Sequence, residues 1–191
     1  MVIVGVDYSL SSPGWCVHVG DEWSFENCKL FYLLHTKTGG DRELEHRGDC
    51  FFPLRQPTEW SNDYDRYWKL SRPVLAECIH HKADVVYVEG YAFGAVGRVF
   101  QIAENAGVLK YRLHHNNFRI ETPAPTEIKK FATGKGNANK QDMIDAFINE
   151  TGVDIYARFD KIAKSKSPID DIVDSYYIAK YGFMKENDCN I

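Results

Sequence analysis

The sequence predicts an α/β fold built around a mixed β-sheet, and three observations lead to this class. Short apolar runs occur at 2–7, which ends in Asp7, and at 83–90, which ends in Glu89 and a glycine. Such runs are typical of buried strands. Two more apolar runs, at 14–19 and 28–36, follow the first without an intervening helix. Strands then alternate with stretches of helical period, and this order of elements is typical of an α/β layered fold.

The remaining segments are assigned in the same way. A helical stretch covers about 61–81, where Ser61 is a candidate N-cap and Pro73 is expected to kink or break the helix. The segment 37–59 is rich in Gly, Asp, Arg and Pro without a clear period, so we predict an irregular insertion there. The other predicted elements are a helix at 95–116, a strand at 118–122, short helices at 125–132 and 140–150, and a last helix within 167–182.

Composition limits the class of protein. The chain has 191 residues, of which 44% are hydrophobic and 26% charged, and this predicts a single globular domain over 1–191. We expect no membrane partner, because there is no run of about 18 apolar residues, and no signal peptide at the N-terminus. The five cysteines form no CxxC pair, so we expect reduced thiols in the cytoplasm.

Charge is distributed unevenly along the chain. The formal net charge of −4 argues against indiscriminate nucleic-acid binding. From Met1 to Val108 there are 10 basic and 15 acidic residues, whereas from Leu109 to Lys140 there are 7 basic and 2 acidic. A basic stretch of this kind can hold a phosphate backbone locally, although a solvated basic face explains it equally well.

Three aspartates crowd the start of the last helix. Ser167 as a cap, Pro168 in the first turn and the helix dipole account for Asp170, but Asp174 lies a full turn inside. Asp174 is three residues from Asp171 and four from Asp170, so both pairs are neighbours on the helix surface. The spacing alone does not choose between them.

Two predicted strands end in acids, Asp7 and Glu89. A charge at the end of a buried strand is costly without compensation, and the ends of neighbouring strands lie only about 5 Å apart. Each acid alone is explained by a solvated strand end or a cap. Three or four converging carboxylates without His or Cys instead indicate a hard oxygen site for Mg²⁺ or Mn²⁺, which suits phosphodiester hydrolysis.

Several segments together resemble the RuvC family of Holliday-junction resolvases, in the RNase H and retroviral-integrase superfamily. The matching segments are GVDYSLSSPGWCV, with a first-strand Asp and a Ser-rich turn, VYVEGYAFG, with a strand Glu, NAGVLKYRL, with an Ala-Gly pair, PTEIKKFATGKGNANKQDM, with Gly-x-Gly-x-Ala-x-Lys, and DIVDSYYIA, with Asp-x-x-Asp. They occur in the family's order and span most of the chain.

The resemblance implies an RNase H-like mixed β-sheet of about five strands flanked by α-helices. It also implies that Asp7, Glu89, Asp171 and Asp174 are catalytic and hold Mg²⁺ or Mn²⁺, with two ions per active site. Lys140 would act beside the scissile phosphate as a further catalytic residue. In this alignment with the family's Asp-x-x-Asp motif, Asp170 is not a metal ligand but a helix cap or a charge just outside the metal site.

Contacts with DNA are implied in the same way. The candidates are Lys135, Lys140, Lys129, Lys130, Tyr91, Phe93 and Arg98. Tyr91 or Phe93 could stack on an unpaired base, and packing beneath the loop is an equally open alternative. The resemblance also implies a two-fold homodimer through the helix 95–115, which would suit two symmetric nicks. Packing of this helix on the chain's own sheet is the alternative.

The resemblance therefore predicts a metal-dependent endonuclease that resolves four-way DNA junctions by paired hydrolysis, leaving 5′-phosphate and 3′-hydroxyl ends. The alternatives are a nuclease for other branched DNA or RNA–DNA hybrids, and a non-catalytic junction-binding protein. An actin-like ATPase is disfavoured, since no second glycine hairpin is present.

Two departures from the family pattern favour a phage-type member, in the cytoplasm of a bacterial cell or a phage-infected host. They are the insertion at 37–59 and the tyrosines Tyr176 and Tyr177, which stand where small residues are usual.

Overall fold

A computed structural model describes residues 1–34, 50–91, 98–159 and 167–188. The strands are β1 (Val2–Asp7), β2 (Gly14–Val19), β3 (Cys28–Leu34), β4 (Phe51–Arg55), β5 (Val85–Val88) and β6 (Arg119–Glu121). The helices are α1 (Asp63–His81), α2 (Val99–His115), α3 (Pro125–Thr133), α4 (Lys140–Thr151), α5 (Ile155–Phe159) and α6 (Ile169–Glu186), with a 3₁₀ turn at Phe25–Asn27. The predicted α/β class with a mixed sheet is confirmed.

The sheet has the strand order β4-β3-β2-β1-β5-β6. β1, β2 and β3 form an antiparallel meander, whereas β4, β5 and β6 each pair in parallel with a neighbour. Val6 of β1 is paired with Val88 of β5, and the amide of Glu89 donates to the carbonyl of Val6 at 3.0 Å. Asp7 and Glu89 therefore emerge side by side at one edge of the sheet.

Helices cover both faces of the sheet and divide the core into two apolar clusters. α1 and α2 pack on one face, against residues such as Val4 and Val6 of β1. α3, α4, α5 and α6 pack on the other face, against residues such as Ile3. Because side chains alternate across a strand, β1 is buried on both sides and sits at the centre of the molecule.

Two glycines determine how closely α6 lies against the sheet. A Cβ atom at Gly5 would sit 2.2 Å from the backbone nitrogen of Ala179, and one at Gly14 would sit 2.5 Å from the carbonyl oxygen of Asp171. Either side chain would push α6 away from β1 and β2. The close approach brings the first turns of α6 to the ends of the strands that carry Asp7 and Glu89.

The described residues form six strands, in line with the predicted sheet of about five. The prediction of a wholly irregular 37–59 segment is wrong at its C-terminal end. β4 lies within that segment and pairs in parallel with β3 through contacts such as Leu30 with Phe51. It is an edge strand interrupted by Pro53, so it lacks the alternating apolar pattern of a half-buried strand. Residues 35–49, which hold the rest of the predicted insertion, lie outside the described residues.

The ends of two helices also differ from prediction. Asn62, rather than Ser61, caps α1: its Oδ1 accepts from the amide of Asp65 at 2.9 Å. α1 is not broken at Pro73 but continues to His81. Within the parts of the chain that the structure describes, no helix is both long and apolar enough to cross a bilayer.

α6 begins at Ile169, with Pro168 in the cap position. Ser167 does not cap it, because its hydroxyl is bonded to Ser12 and to the side chain of Asp171. The expected cap residue therefore holds a site carboxylate instead.

Candidate active site

Four carboxylates meet at the edge of the sheet where β1 and β5 end. Asp7 closes β1 and Glu89 follows β5, while Asp171 and Asp174 project from the first turns of α6. Burial raises the pKa of Asp7 well above its ordinary value, and the charges of Asp174, Glu89 and Asp171 raise it further. The three other acids therefore lie close enough to Asp7 for their charges to act on it.

The two α6 acids are held differently. The carboxylate of Asp171 accepts hydrogen bonds from Ser12 at 3.0 Å and Ser167 at 2.9 Å. Its pKa is raised by burial, although these two hydroxyls lower it in part. The pKa of Asp174 is raised to about 7, mainly by burial and next by the charge of Glu89.

The donor set fits a divalent cation in its chemistry. All four groups offer oxygen ligands, which Mg²⁺ and Mn²⁺ prefer, and their mutual repulsion would be relieved by a positive charge. Nevertheless, no three His, Cys, Asp or Glu side chains among the described residues are arranged to hold one ion between them. Binding would therefore require some of these carboxylates to turn towards one another.

Lys140 and Asp170 form a second pair beside the acids. The Nζ atom of Lys140 lies 2.5 Å from Oδ2 of Asp170, whose side chain is only 4% exposed. Burial lowers the pKa of Lys140, but the hydrogen bond to Asp170 and the charges of Asp171 and Asp174 outweigh it, so the net pKa is raised. Lys140 therefore stays protonated next to the site.

This pair shows that the two adjacent aspartates have different surroundings. Asp171 is among the charges that raise the pKa of Asp7, whereas Asp170 is bonded to Lys140. Asp170 is buried, so of the two predicted roles, a cap or an outer charge beside the site, its bond to Lys140 fits the second. Its Oδ1 atom is buried without a hydrogen-bond partner among the described residues.

Three side chains that the sequence analysis missed hold the turn after Asp7. The carbonyl of Ser9 accepts from Asn105 at 3.3 Å, that of Leu10 from Arg66, and that of Ser11 from Gln56 at 2.7 Å. Asn105 belongs to α2, Arg66 belongs to α1, and Gln56 directly follows β4. No short-range pattern connects these residues to the turn, so only the folded chain reveals them.

A cavity of about 490 Å³ opens beside the acids. It is lined by Asp7, Glu89, residues 8–11, Arg66, Gly90, Tyr91, Arg98, Val99, Ile102 and Ala106. The cavity thus joins two of the carboxylates to the predicted DNA contacts Tyr91 and Arg98, and to the positive charge of Arg66.

Comparison with solved structures identifies the fold. Thermus thermophilus RuvC superposes with a TM-score of 0.61 at 17% identity, covering 98% of this chain and 97% of that one. The fowlpox virus resolvase, solved with substrate Holliday junction DNA, gives 0.53 at 17% identity, covering 97% and 99%. The yeast mitochondrial resolvase Ydc2 gives 0.53 at 16% identity, covering 96% and 77%.

The chain has the RNase H-like fold of the Holliday-junction resolvases. A second structure of the Thermus protein, in complex with its Holliday junction substrate, matches with a TM-score of 0.60 at 18% identity, over 97% of this chain and 96% of that one. No protein-family model matches the sequence, and no curated protein matches it significantly. The fold is therefore recognised through its architecture rather than through sequence similarity.

The resolvase fold brings some of the predicted DNA contacts to the acids. Burial raises the pKa of Glu89, and the charge of Lys129 lowers it in part, so this lysine lies near the site. Lys130 and Lys135 are exposed on α3 and in the turn after it. Tyr91 lies over α2 with its ring 4.6 Å from Nζ of Lys110. Phe93 lies outside the described residues.

The two tyrosines that depart from the resolvase pattern are part of the core. Tyr176 and Tyr177 are both fully buried in α6. The hydroxyl of Tyr176 donates to Glu150 at 2.6 Å and accepts from the indole of Trp23 at 3.1 Å. The larger side chains are accommodated because α4 and the 3₁₀ turn supply aromatic neighbours, Phe147 and Phe25.

The raised pKa of Asp174 predicts a pH-dependent stability in EDTA. Its folded pKa of about 7 exceeds the ordinary 3.8, so the stability that it contributes is complete below pH 3.8 and is lost as pH rises to about 7. Asp174→Asn should remove this loss. In urea unfolding, the free energy of unfolding of the variant relative to that of wild type should rise by on the order of 1–2 kcal/mol from pH 5 to pH 7.5.

The exposed Asp145 of α4 offers a matched control. Asp145→Asn should track wild type across the same pH range. Equal pH profiles for Asp174→Asn and wild type would contradict the raised pKa of Asp174.

Proposed function

We propose that the protein is a metal-dependent endonuclease that resolves four-way DNA junctions by paired phosphodiester hydrolysis, leaving 5′-phosphate and 3′-hydroxyl ends. The observation that carries the proposal is the meeting of acids from β1, β5 and α6 beside Lys140 in a resolvase fold. Two of the structures with this fold, from Thermus and fowlpox virus, contain Holliday junction DNA.

Asp7, Glu89, Asp171 and Asp174 would hold the metal, with Mg²⁺ or Mn²⁺ as the ion and two ions per site. When bound, such ions supply activation of water and stabilisation of the leaving oxygen. Burial raises the pKa values of Asp7 and Asp174 most, and the charges of the neighbouring acids raise them further. A bound cation would relieve that repulsion, which supports this assignment.

Lys140 would stabilise charge on the scissile phosphate. Its protonated Nζ is held beside the acids by Asp170, which limits the freedom of a long side chain. A donor held in place stabilises developing negative charge better than a mobile one. Asp170 would then be a positioning residue rather than a metal ligand.

The DNA backbone would be held by the basic residues around the acids. Lys129 near Glu89, Arg98 in the cavity, and the exposed Lys130 and Lys135 could each neutralise a phosphate. The ring of Tyr91 is partly exposed at the cavity and could stack on an unpaired base at the crossover.

Cleavage of a labelled four-way junction tests the proposal. With Mg²⁺ or Mn²⁺, wild type should nick opposite strands symmetrically and should cut the junction much faster than a plain duplex of the same sequence. EDTA should stop the reaction. Asp7→Asn should lower the cleavage rate by about 100-fold or more, because Asp7 is proposed to act through the metal. Its affinity for the junction in gel shifts should stay within about 3-fold of the wild-type affinity.

Asp145→Asn is the matched control and should cut like wild type. Equal rates on junction and duplex would refute junction specificity, and faster cutting of flaps or RNA–DNA hybrids would reassign the substrate. Junction binding without cutting under any metal would mean a non-catalytic junction-binding protein.

A homodimer through α2 is the second part of the proposal. Phe100 is 81% exposed and Tyr111 67% exposed on this helix. Between them, Gly107 has no heavy atom within 4 Å of where a Cβ would lie. Two exposed aromatic side chains with a small residue between them suit close packing against a second helix, and two copies would present two active sites to a four-way branched substrate.

Phe100→Glu combined with Tyr111→Glu tests the dimer. Wild type should sediment as a dimer at micromolar concentration and the double variant as a monomer, because two buried like charges would face their symmetry mates. Tyr64→Glu, at an equally exposed aromatic of α1, should stay dimeric. A monomeric wild type would exclude this interface.

A further inference from the structure

We propose that Trp60 and Arg66 form a second DNA-binding element, which stacks an unpaired base and contacts a phosphate on the α1 side of the acid cavity. The inference rests on the proposed function, because it takes branched DNA as the ligand. It assigns a role to side chains that neither the strand-end acids nor the lysines of α3 and α4 explain.

Arg66 shares the cavity with two of the site acids. Its guanidinium lies in the wall that also contains Asp7 and Glu89, and one of its terminal nitrogens donates to the carbonyl of Leu10 in the turn after Asp7. Its Nε atom is buried and has no hydrogen-bond partner within the described parts of the chain. Arg66 is thus anchored at the site, and because Nε is buried, a phosphate would be met by its remaining terminal N–H groups.

Nearby acids do not neutralise Arg66. The carboxylate of Asp65, its neighbour in sequence, accepts from the amide of Ser61 and from Nζ of Lys69, each at 2.9 Å. No ion pair of Arg66 with a carboxylate occurs among the residues that the structure describes. The guanidinium can therefore attract a phosphate that approaches the cavity.

Trp60 provides an aromatic surface next to the positive charge of Arg66. The guanidinium carbon of Arg66 lies 4.9 Å from the centre of the Trp60 ring, and the side chain of Trp60 is 40% exposed. An arginine on one face of an indole leaves the other face for a base, and base–aromatic stacking tolerates any sequence.

The position of Trp60 is fixed by the start of α1. Asn62 caps the helix, Ser61 donates to Asp65, and Lys69 also donates to the carbonyl of Glu59 at 2.8 Å. The residues on both sides of Trp60 are therefore held by hydrogen bonds. A stacking side chain held in this way loses little further freedom when it binds.

The two sides of the cavity suggest the path of the strand. Lys140 lies on the α6 and α4 side of the acids, and Arg66 lies on the α1 side. A strand whose scissile phosphate sits at the acids would pass between them. Trp60 would then meet a base next to the cut, where the strands of a junction exchange and bases lose their stacking partners.

Trp68 is a matched control because it carries the same pairing elsewhere. It is 51% exposed, and Arg112 lies 3.8 Å from its ring centre. The difference lies in the arginine: Arg66 lines the cavity, whereas Arg112 does not and is engaged with the Trp68 carbonyl and the Ser71 hydroxyl. Loss of either tryptophan should affect folding similarly, so a difference in DNA binding reports the position of Trp60.

Fluorescence anisotropy with a fluorescein-labelled four-way junction in EDTA tests the inference. Trp60→Ala should weaken binding about 5-fold or more, Trp60→Phe should restore most of it, and Trp68→Ala should bind like wild type. A plain duplex should show no such difference. Equal affinities of Trp60→Ala and Trp68→Ala for the junction would overturn the inference.

Tryptophan fluorescence gives an independent readout of stacking. Addition of unlabelled junction should quench wild type and Trp68→Phe, and the quenching should be smaller in Trp60→Phe. Quenching that is equal in the two variants would contradict base stacking on Trp60.

The two proposals can fail separately. Junction binding that depends on Trp60, without cleavage under Mg²⁺ or Mn²⁺, would support the element and refute the nuclease. Cleavage by a wild type whose affinity is unchanged in Trp60→Ala would refute the element alone.

Discussion

The contact of α6 with β1 and β2 is the constraint on which the candidate site depends. Gly5 and Gly14 leave no room for a side chain between the helix and the strands, so the helix backbone lies directly on the sheet. A methyl group at either position would cost roughly 1–3 kcal/mol by overpacking and would also shift the helix. The same contact that closes the core therefore sets the distance between the acids of α6 and those of β1 and β5.

This arrangement concentrates negative charge among partly buried carboxylates. Burial and mutual repulsion raise the pKa of Asp7 and of Asp174, and the apolar packing on both faces of the sheet must offset the cost. Sites that violate the usual rules of charge burial are often functional. Here the violation has a chemical explanation, since a divalent cation would turn the repulsion into attraction. The buried Asp170 and Lys140 add one compensated pair at the same place.

Much of the site could be predicted from the sequence because its acids follow strong local patterns. Asp7 and Glu89 end apolar strands, and parallel pairing of β1 with β5 places them together. The choice between Asp170 and Asp171 was open, because helical spacing makes both neighbours of Asp174. The structure separates them through partners that lie far away in sequence: Ser12 for Asp171 and Lys140 for Asp170.

Other features had no local signal. The hydrogen bonds that hold the turn after Asp7 come from Arg66, Asn105 and Gln56, which meet only in the folded chain. β4 was missed because a short edge strand with a proline has no regular pattern, and α5 because it is a single short turn. Tertiary contacts decide such elements, whereas hydrophobic period decides the central strands and long helices.

Titration of Mn²⁺ into the protein, followed by electron paramagnetic resonance of the free ion, tests the acid centre most directly. Wild type should bind Mn²⁺, and Asp171→Asn should weaken binding more than about tenfold, because it removes a proposed ligand. Asp170→Asn should weaken it less, since that side chain is proposed to hold Lys140. Retained affinity in Asp171→Asn with lost affinity in Asp170→Asn, or no Mn²⁺ binding by wild type, would contradict the account.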